Sequence, residues 1–249
     1  MRRVIAILLA VVGFSLLGYS GWQVIDWLAN RQAEEESLRL LVSTTVNVSE
    51  YRARHQPLPL EVGTVTAVPS GVGLYDFIAQ VKNPNPTWAA TVVEFTFSTN
   101  GQSFSSERYF MPSEDKYLVL LGAKLAISPS NLQLTMGQPR WQRVKPGQDI
   151  RRPDFSIDNE KIEKVDGVGT TLRFILNNKS PYSYYEAGVV AVLTRGNAPV
   201  AVGQQNISDV ISGSQRPLQF IWPNLTTSPD RLIVRPEVNV FDSRVFKPL

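Results

Sequence analysis

Residues 77–101 read FIAQVKNPNPTWAATVVEFTFSTNG, and this stretch decides the fold class. Phe77, Ala79 and Val81 share one face of a strand, since successive side chains on an extended chain point to opposite sides. Pro84-Asn85-Pro86-Thr87 must then turn the chain, because neither proline can donate to a ladder. The returning strand carries the clearest alternation in the sequence. Val93, Phe95 and Phe97 point one way, while Glu94, Thr96 and Ser98 point the other. Asn100-Gly101 closes it with the dipeptide favoured in two-residue hairpin turns. Shorter strands are expected at 103–111, 117–121, 124–127 and 132–136.

About 95 residues later the same phrase returns as LRFILNNKSPYSYYEAGVVAVLTRGN, residues 172–197. Asn178 falls where Asn83 fell, Lys179-Ser180-Pro181 replaces the proline turn, and residues 187–194 replace the alternating strand. Gly196-Asn197 closes this unit, and further strands are expected at 200–202, 218–222 and 232–241. A repeat of that length is a domain duplication, since solenoid periods run to about 20–50 residues. The 17 prolines and 16 glycines, spread along the chain, favour short strands joined by turns.

The N-terminus is of another kind. After Met1-Arg2-Arg3, residues 4–25 contain no charge, enough at about 1.5 Å per residue to cross a hydrocarbon core of about 30 Å. Tyr19, Trp22 and Trp27 lie at its far end, where aromatic rings favour the headgroup layer. Arg2 and Arg3 precede it; Asp26 and Glu34-Glu35-Glu36 follow. The expected topology is a single-pass plasma-membrane protein, N-terminus cytoplasmic and C-terminal domains extracytoplasmic. A signal peptide cleaved after Ser20 is the alternative, although the apolar run exceeds the usual h-region and continues past that point. Residues 30–59 read as a helical stalk and linker, with Glu35 and Arg39 spaced for an i,i+4 pair, broken at the Pro57-Leu58-Pro59 segment.

The expected organisation is therefore mainly β: residues 1–29 cytoplasmic tip and transmembrane helix, 30–59 stalk, 60–139 first β-sandwich, 140–154 linker, 155–249 second β-sandwich. The two quoted stretches resemble the FxLYD-type and LEA-2-like immunoglobulin-fold modules of bacterial single-pass envelope proteins. Leu74-Tyr75-Asp76 is similar to the family's wording but lacks its leading aromatic. The resemblance implies tandem immunoglobulin-like sandwiches behind one helix and transfers no catalytic residue.

Composition excludes several chemistries. Cysteine is absent, which removes disulfides, thiolate catalysis and thiolate metal sites. A net charge of +3 and aromatics placed on core faces give no nucleic-acid signature. There is one histidine, His55, in the stalk, and no nucleophile elbow, phosphate loop or zinc motif. Glu114-Asp115 and the cluster of Asp154, Asp158 and Glu160 are the nearest approach to paired catalytic carboxylates, and the second is read as a solvated turn rather than a calcium loop. No catalytic, cofactor-binding or metal-ligating residue is assigned, and no small-molecule substrate or cofactor is evident. The basic run Arg140, Arg143, Lys145, Arg151 and Arg152 reads as a solvated linker before it reads as an anionic contact. Tyr182, Tyr184 and Tyr185 are expected to pack, with a protein or glycan contact as the alternative. Asn47, Asn178, Asn206 and Asn224 begin N-x-S/T sequons that matter only on a eukaryotic secretory route.

The functional expectation is a non-enzymatic, membrane-anchored scaffold or protein-interaction module of the cell envelope, its partners other envelope proteins in a secretion, pilus or cell-wall assembly. The alternative is a tethered binding module for a small ligand, lipid or glycan. A tethered hydrolase working with carboxylates alone is the weakest reading.

Overall fold

The computed structural model describes residues 2–43, 56–145 and 147–248, with side chains in the helical segment given for 11–28, 31, 35 and 36. The chain divides into two compact units, Met1–Gln56 and Pro57–Leu249.

The first unit is one uninterrupted helix, α1 (Arg2–Ser43). No proline interrupts it, and the helix formers after Trp27 extend the apolar segment without a break. Among its described side chains, Phe14, Leu17 and Trp22 are each about 70–80% exposed. The guanidinium of Arg31 sits 5.4 Å from the Trp27 ring centroid, and its Nε lies 3.3 Å from Glu35. The expected Glu35–Arg39 pair, His55 and Asn47 lie outside the described residues. Among the described residues no helix is long and apolar enough to cross a membrane. The described side chains of α1 begin at Val11, so the apolar run 4–25 is covered only in part.

The second unit is all strand and turn. Sheet I pairs β1 (Glu61–Gly71), β2 (Leu74–Lys82) and β5 (Asp115–Lys124) in the order β1-β2-β5. Sheet II has the order β4-β3-β6, from β3 (Trp88–Thr99), β4 (Gln102–Phe110) and β6 (Gln133–Met136), with β7 (Arg140–Arg143) also paired to β3. Sheet III has the order β8-β9-β12, from β8 (Phe155–Val165), β9 (Gly169–Asn178) and β12 (Gln215–Trp222). Sheet IV has the order β11-β10-β13, from β10 (Tyr184–Arg195), β11 (Ala198–Val210) and β13 (Arg231–Glu237). Sheets I and III share one strand order, and sheets II and IV share another. The repeat seen in the sequence is thus a repeat of topology.

Two apolar cores follow. Phe77, Val93, Phe95, Phe97, Phe110 and Leu118 fill the space between sheets I and II, with Phe95 and Phe97 edge to face at 5.7 Å. Leu172, Phe174, Leu176, Tyr184, Leu193 and Phe220 fill the space between sheets III and IV. Here Phe174, Phe220 and Trp222 form a parallel stack with centroids 6.1 and 5.9 Å apart. A Cβ on Gly203 would come within 2.5 Å of the Phe220 ring, so β11 can pass over the stack only with glycine there.

A third apolar layer joins the sandwiches. Val68, Ile78 and Val119 on the outer face of sheet I meet Val190, Val192 and Val202 on the outer face of sheet IV. The layer order is therefore II, I, IV, III. This explains why the two quoted stretches differ in pattern. β3 alternates because its outer face meets water, whereas the AGVVAVLT run of β10 is apolar throughout because both of its faces are buried.

Other departures from the sequence reading have local causes. Residues 117–121 and Lys124 belong to one strand, β5, carried across a register shift beside Gly122, whose N–H donates to Asp76 Oδ1 at 2.8 Å. Asp76 is buried and also accepts from Ser70 Oγ, so the Leu-Tyr-Asp wording marks a carboxylate that pins a bulge. No strand forms at 125–127, where Leu125 N instead donates to Gly73 O at 2.9 Å. Residues 140–143, placed by sequence in the linker, form β7 and pair with β3. β8 went unassigned because its register slips between Asp158 and Lys161, where Asn159 adopts a φ of 57° and breaks the period-two pattern. β13 ends at Glu237, short of residue 241, and the chain continues through turns into a short 3₁₀ segment, Ser243–Val245.

The two asparagines of the repeat do the same work. Asn83 is fully buried and donates to the carbonyls of Trp88 and Met111 at 2.7 and 2.8 Å. Asn178 is 1% exposed and donates to Tyr182, Val210 and Ile211. In each, Oδ1 accepts the N–H two residues on, from Asn85 or Ser180, both at 3.1 Å. Each side chain thus ties the turn after the second strand of its sandwich to the turn after the fourth. Only an amide, with two donors and an acceptor on one short stem, can do both.

Candidate functional site

The edges of the two sandwiches leave an open cleft of about 590 Å³ beside the valine seam. Its first wall is built from β3 and the end of β4, and its second from β10, β11, the end of β13 and the segment that follows it.

Lys116 stands behind the first wall. It is 2% exposed, and an ammonium so buried is tolerated only when paired. Its Nζ lies 3.3 Å from Glu114 and 3.4 Å from Glu237, and 3.8 Å from the centroid of the Tyr109 ring. Glu114 belongs to the first sandwich and Glu237 to the second, so the lysine is a clamp across the seam. The pairing is incomplete. Glu237 Oε1 is buried with no hydrogen-bond partner. Tyr109 is only 8% exposed, and burial, then the charges of Glu237 and Glu114, push its phenol well above the usual tyrosine range.

Arg108 bridges the lip, with Nη2 donating to Gln204 Oε1 at 3.1 Å and Nη1 to the Glu107 carbonyl at 3.0 Å. On the opposite rim Asp242 accepts from Arg244 N, Nε and Nη2 at 2.8–3.0 Å, which holds its carboxyl below the usual range and neutralises both charges. Glu107 and Glu186 are exposed at the rim and belong to no ion pair among the described residues. A smaller groove of about 310 Å³ flanks the seam near Asp76 and Trp222. Burial raises Asp76, partly offset by its bonds from Gly122 and Ser70.

The sequence candidates are distributed otherwise. Tyr184 is fully buried and Tyr182 donates to Asp149 at 2.8 Å, so these two pack. Tyr185, half exposed, lines the cleft. In the basic run, Arg151 lies over Phe246 at 5.0 Å and Arg152 donates to the Pro112 carbonyl at 3.2 Å, while Arg140, Arg143 and Lys145 are exposed. Glu114 binds Met111 N and Asp115 binds Gln80; Asp158 accepts from Asn177. Among the described residues no group of three or more acidic or histidine side chains could hold a metal. Of the sequons, Asn178 is buried, Asn206 lines the cleft, and Asn224 donates to Ser70 O across the seam.

Tyr109, Lys116 and Glu237 were missed as a group because the 121 residues separating Lys116 from Glu237 leave no local motif. The usable signal was the doubly apolar β10, which announces a second buried face and hence an interface. The chain matches none of the protein-family models and none of the curated proteins compared with it.

Proposed function

We propose that this chain is a single-pass, membrane-anchored, non-enzymatic module whose fused pair of immunoglobulin-like sandwiches presents contact surfaces to other envelope proteins. The observation that carries this reading is the fusion itself. A valine seam and a buried Lys116 clamp join two filled sandwiches, which suits a rigid spacer better than a moving catalyst. Contact surface is offered at the turn ends. Val72 at the tip of the β1–β2 hairpin is fully exposed, with Leu74 and Ile127 also open to solvent. The Gly-Val-Gly tripeptide there recurs at 167–169, where Val168 is exposed in the β8–β9 turn. Exposed apolar side chains at hairpin tips are candidate points of contact. The anchor reading is supported by the uncharged run 4–25 and by the exposure of Val11, Phe14, Leu17, Trp22 and Ile25, which suits lipid better than water.

Two experiments test this. A photo-crosslinking residue at position 72 should trap a discrete membrane-protein partner in intact cells, while one at Arg173 on the outer face of sheet III should not; equal labelling at both would remove the scaffold reading. In fractionation, the protein should resist alkaline extraction of membranes and keep Met1-side sequence. A soluble form beginning at Gly21 would remove the anchor.

A second reading, a tethered binding module for a small ligand, is favoured by the inter-sandwich cleft with its unpaired Glu237 oxygen.

A further inference from the structure

The geometry points to the inter-sandwich cleft as a binding site for a small organic cation bearing an amine or guanidinium group. This inference rests on the second reading above and names its ligand class.

Three observations converge. The cleft, at about 590 Å³, has the size of small-molecule sites, which run to roughly 300–1,000 Å³. It contains a buried polar atom that the protein leaves unused, Glu237 Oε1, and beside it lies Tyr109, which engages Lys116 through its ring. A buried acceptor without a donor is costly, more so when it is charged, and a ligand N–H would recover that cost. The charge is also one-sided. Lys116 faces two carboxylates, so the buried trio carries a net negative charge. At the rim Arg244 is neutralised by Asp242, whereas Glu107 and Glu186 have no cation. Arg108 is the one opposing charge, and it is turned to Gln204 and a backbone carbonyl.

A cation entering between Glu107 and Glu186 would reach Glu237 as its acceptor, with Tyr109 and Asn206 beside it. An anion would meet the carboxylates, and a neutral polyol would leave the field uncompensated. Rim carboxylates attract through solvent and are screened by salt, whereas the buried acceptor is not. Affinity should therefore fall only partly between low and high ionic strength.

The test is isothermal titration of the full-length protein in detergent micelles with agmatine and spermidine, beside trehalose as a neutral probe and succinate as an anionic one. Agmatine or spermidine is expected to bind one per chain, with trehalose and succinate silent. Glu107→Gln with Glu186→Gln, both exposed and harmless to folding, should weaken the amine about tenfold without moving the melting temperature. Glu237→Gln should weaken it further, and Tyr109→Phe, which removes a single oxygen, provides a check should that variant fold poorly. Amine binding that ignores both the rim pair and Tyr109→Phe would overturn the site. Trehalose or succinate binding in place of the amines would overturn the cation while leaving a ligand-binding cleft. Silence from all four probes would overturn the inference and the second reading together.

Discussion

Lys116 and Arg216 occupy equivalent places in the two sandwiches, the first opposite Val81 in β5 and the second opposite Leu176 in β12. One is almost wholly buried between sandwiches against two carboxylates and a tyrosine ring. The other stays on its own sandwich, donating to the carbonyls of Ser208 and Asp209. The topology is repeated but its surroundings are not. Both project from the core face of their strands, but Lys116 reaches Glu237 of the other sandwich, whereas Arg216 ends on carbonyls of its own. The corners teach the same lesson. Asn83 and Asn178 are interchangeable in role, but their neighbours have specialised. Asn85 exchanges two bonds of 2.7 Å with the backbone of Leu58, holding the start of this unit, while Ser180 reaches Tyr184, against which Phe246 near the C-terminus packs.

This comparison can be broken in order of expected effect. Lys116→Met leaves Glu114 and Glu237 buried without their cation, and should cost about 3–5 kcal/mol in denaturant unfolding. Arg216→Met should cost about 1 kcal/mol or less, since its carbonyl partners can turn to water. Equal losses would mean that burial between sandwiches is not what separates them. Asn83→Ala and Asn178→Ala should each cost about 3 kcal/mol, because each strands several buried carbonyls and an N–H at once. A large difference between those two would deny that the corners are duplicates. Asn85→Ala should cost about 1–2 kcal/mol and raise amide exchange around Leu58 without touching the second sandwich.

Titration provides a finer test. Tyr109 is raised above its ordinary value of 10.0 in the folded protein, so its proton is retained there and released on unfolding. Its contribution is complete below pH 10 and is lost as pH rises from 10 toward the folded value. Tyr109→Phe should flatten the alkaline fall in stability measured by circular dichroism. Tyr117 and Tyr184, also raised, would leave a residual slope.

Legibility in the sequence followed the number of buried faces. β3 was readable because one face meets water and the other the core, which writes alternation into the residues. The duplication was readable because Asn83 and Asn178 recur beside turns of fixed chemistry. β8 was hidden by its bulge and charged surface, and β11 by its polar GQQNISD stretch, in which Ile207 alone marks the core face before Val210. The cleft was not readable at all. Its walls come from β3, β4, β10, β11, β13 and the segment after β13, and their meeting depends on which sheet faces of the two sandwiches pack together. Such a choice is written in the apolar outer faces of sheets I and IV, as Val68, Ile78, Val119, Val190, Val192 and Val202.

The central claim is that the two sandwiches are one body. Because the chain has no cysteine, spin labels placed at Ser105→Cys on sheet II and Gln219→Cys on sheet III would be the only ones present. Double electron–electron resonance on the full-length protein in nanodiscs should give a single narrow distance distribution, and Lys116→Met should broaden it. A broad or multi-peaked distribution in the unmodified protein would contradict the fused block and with it the rigid-spacer account.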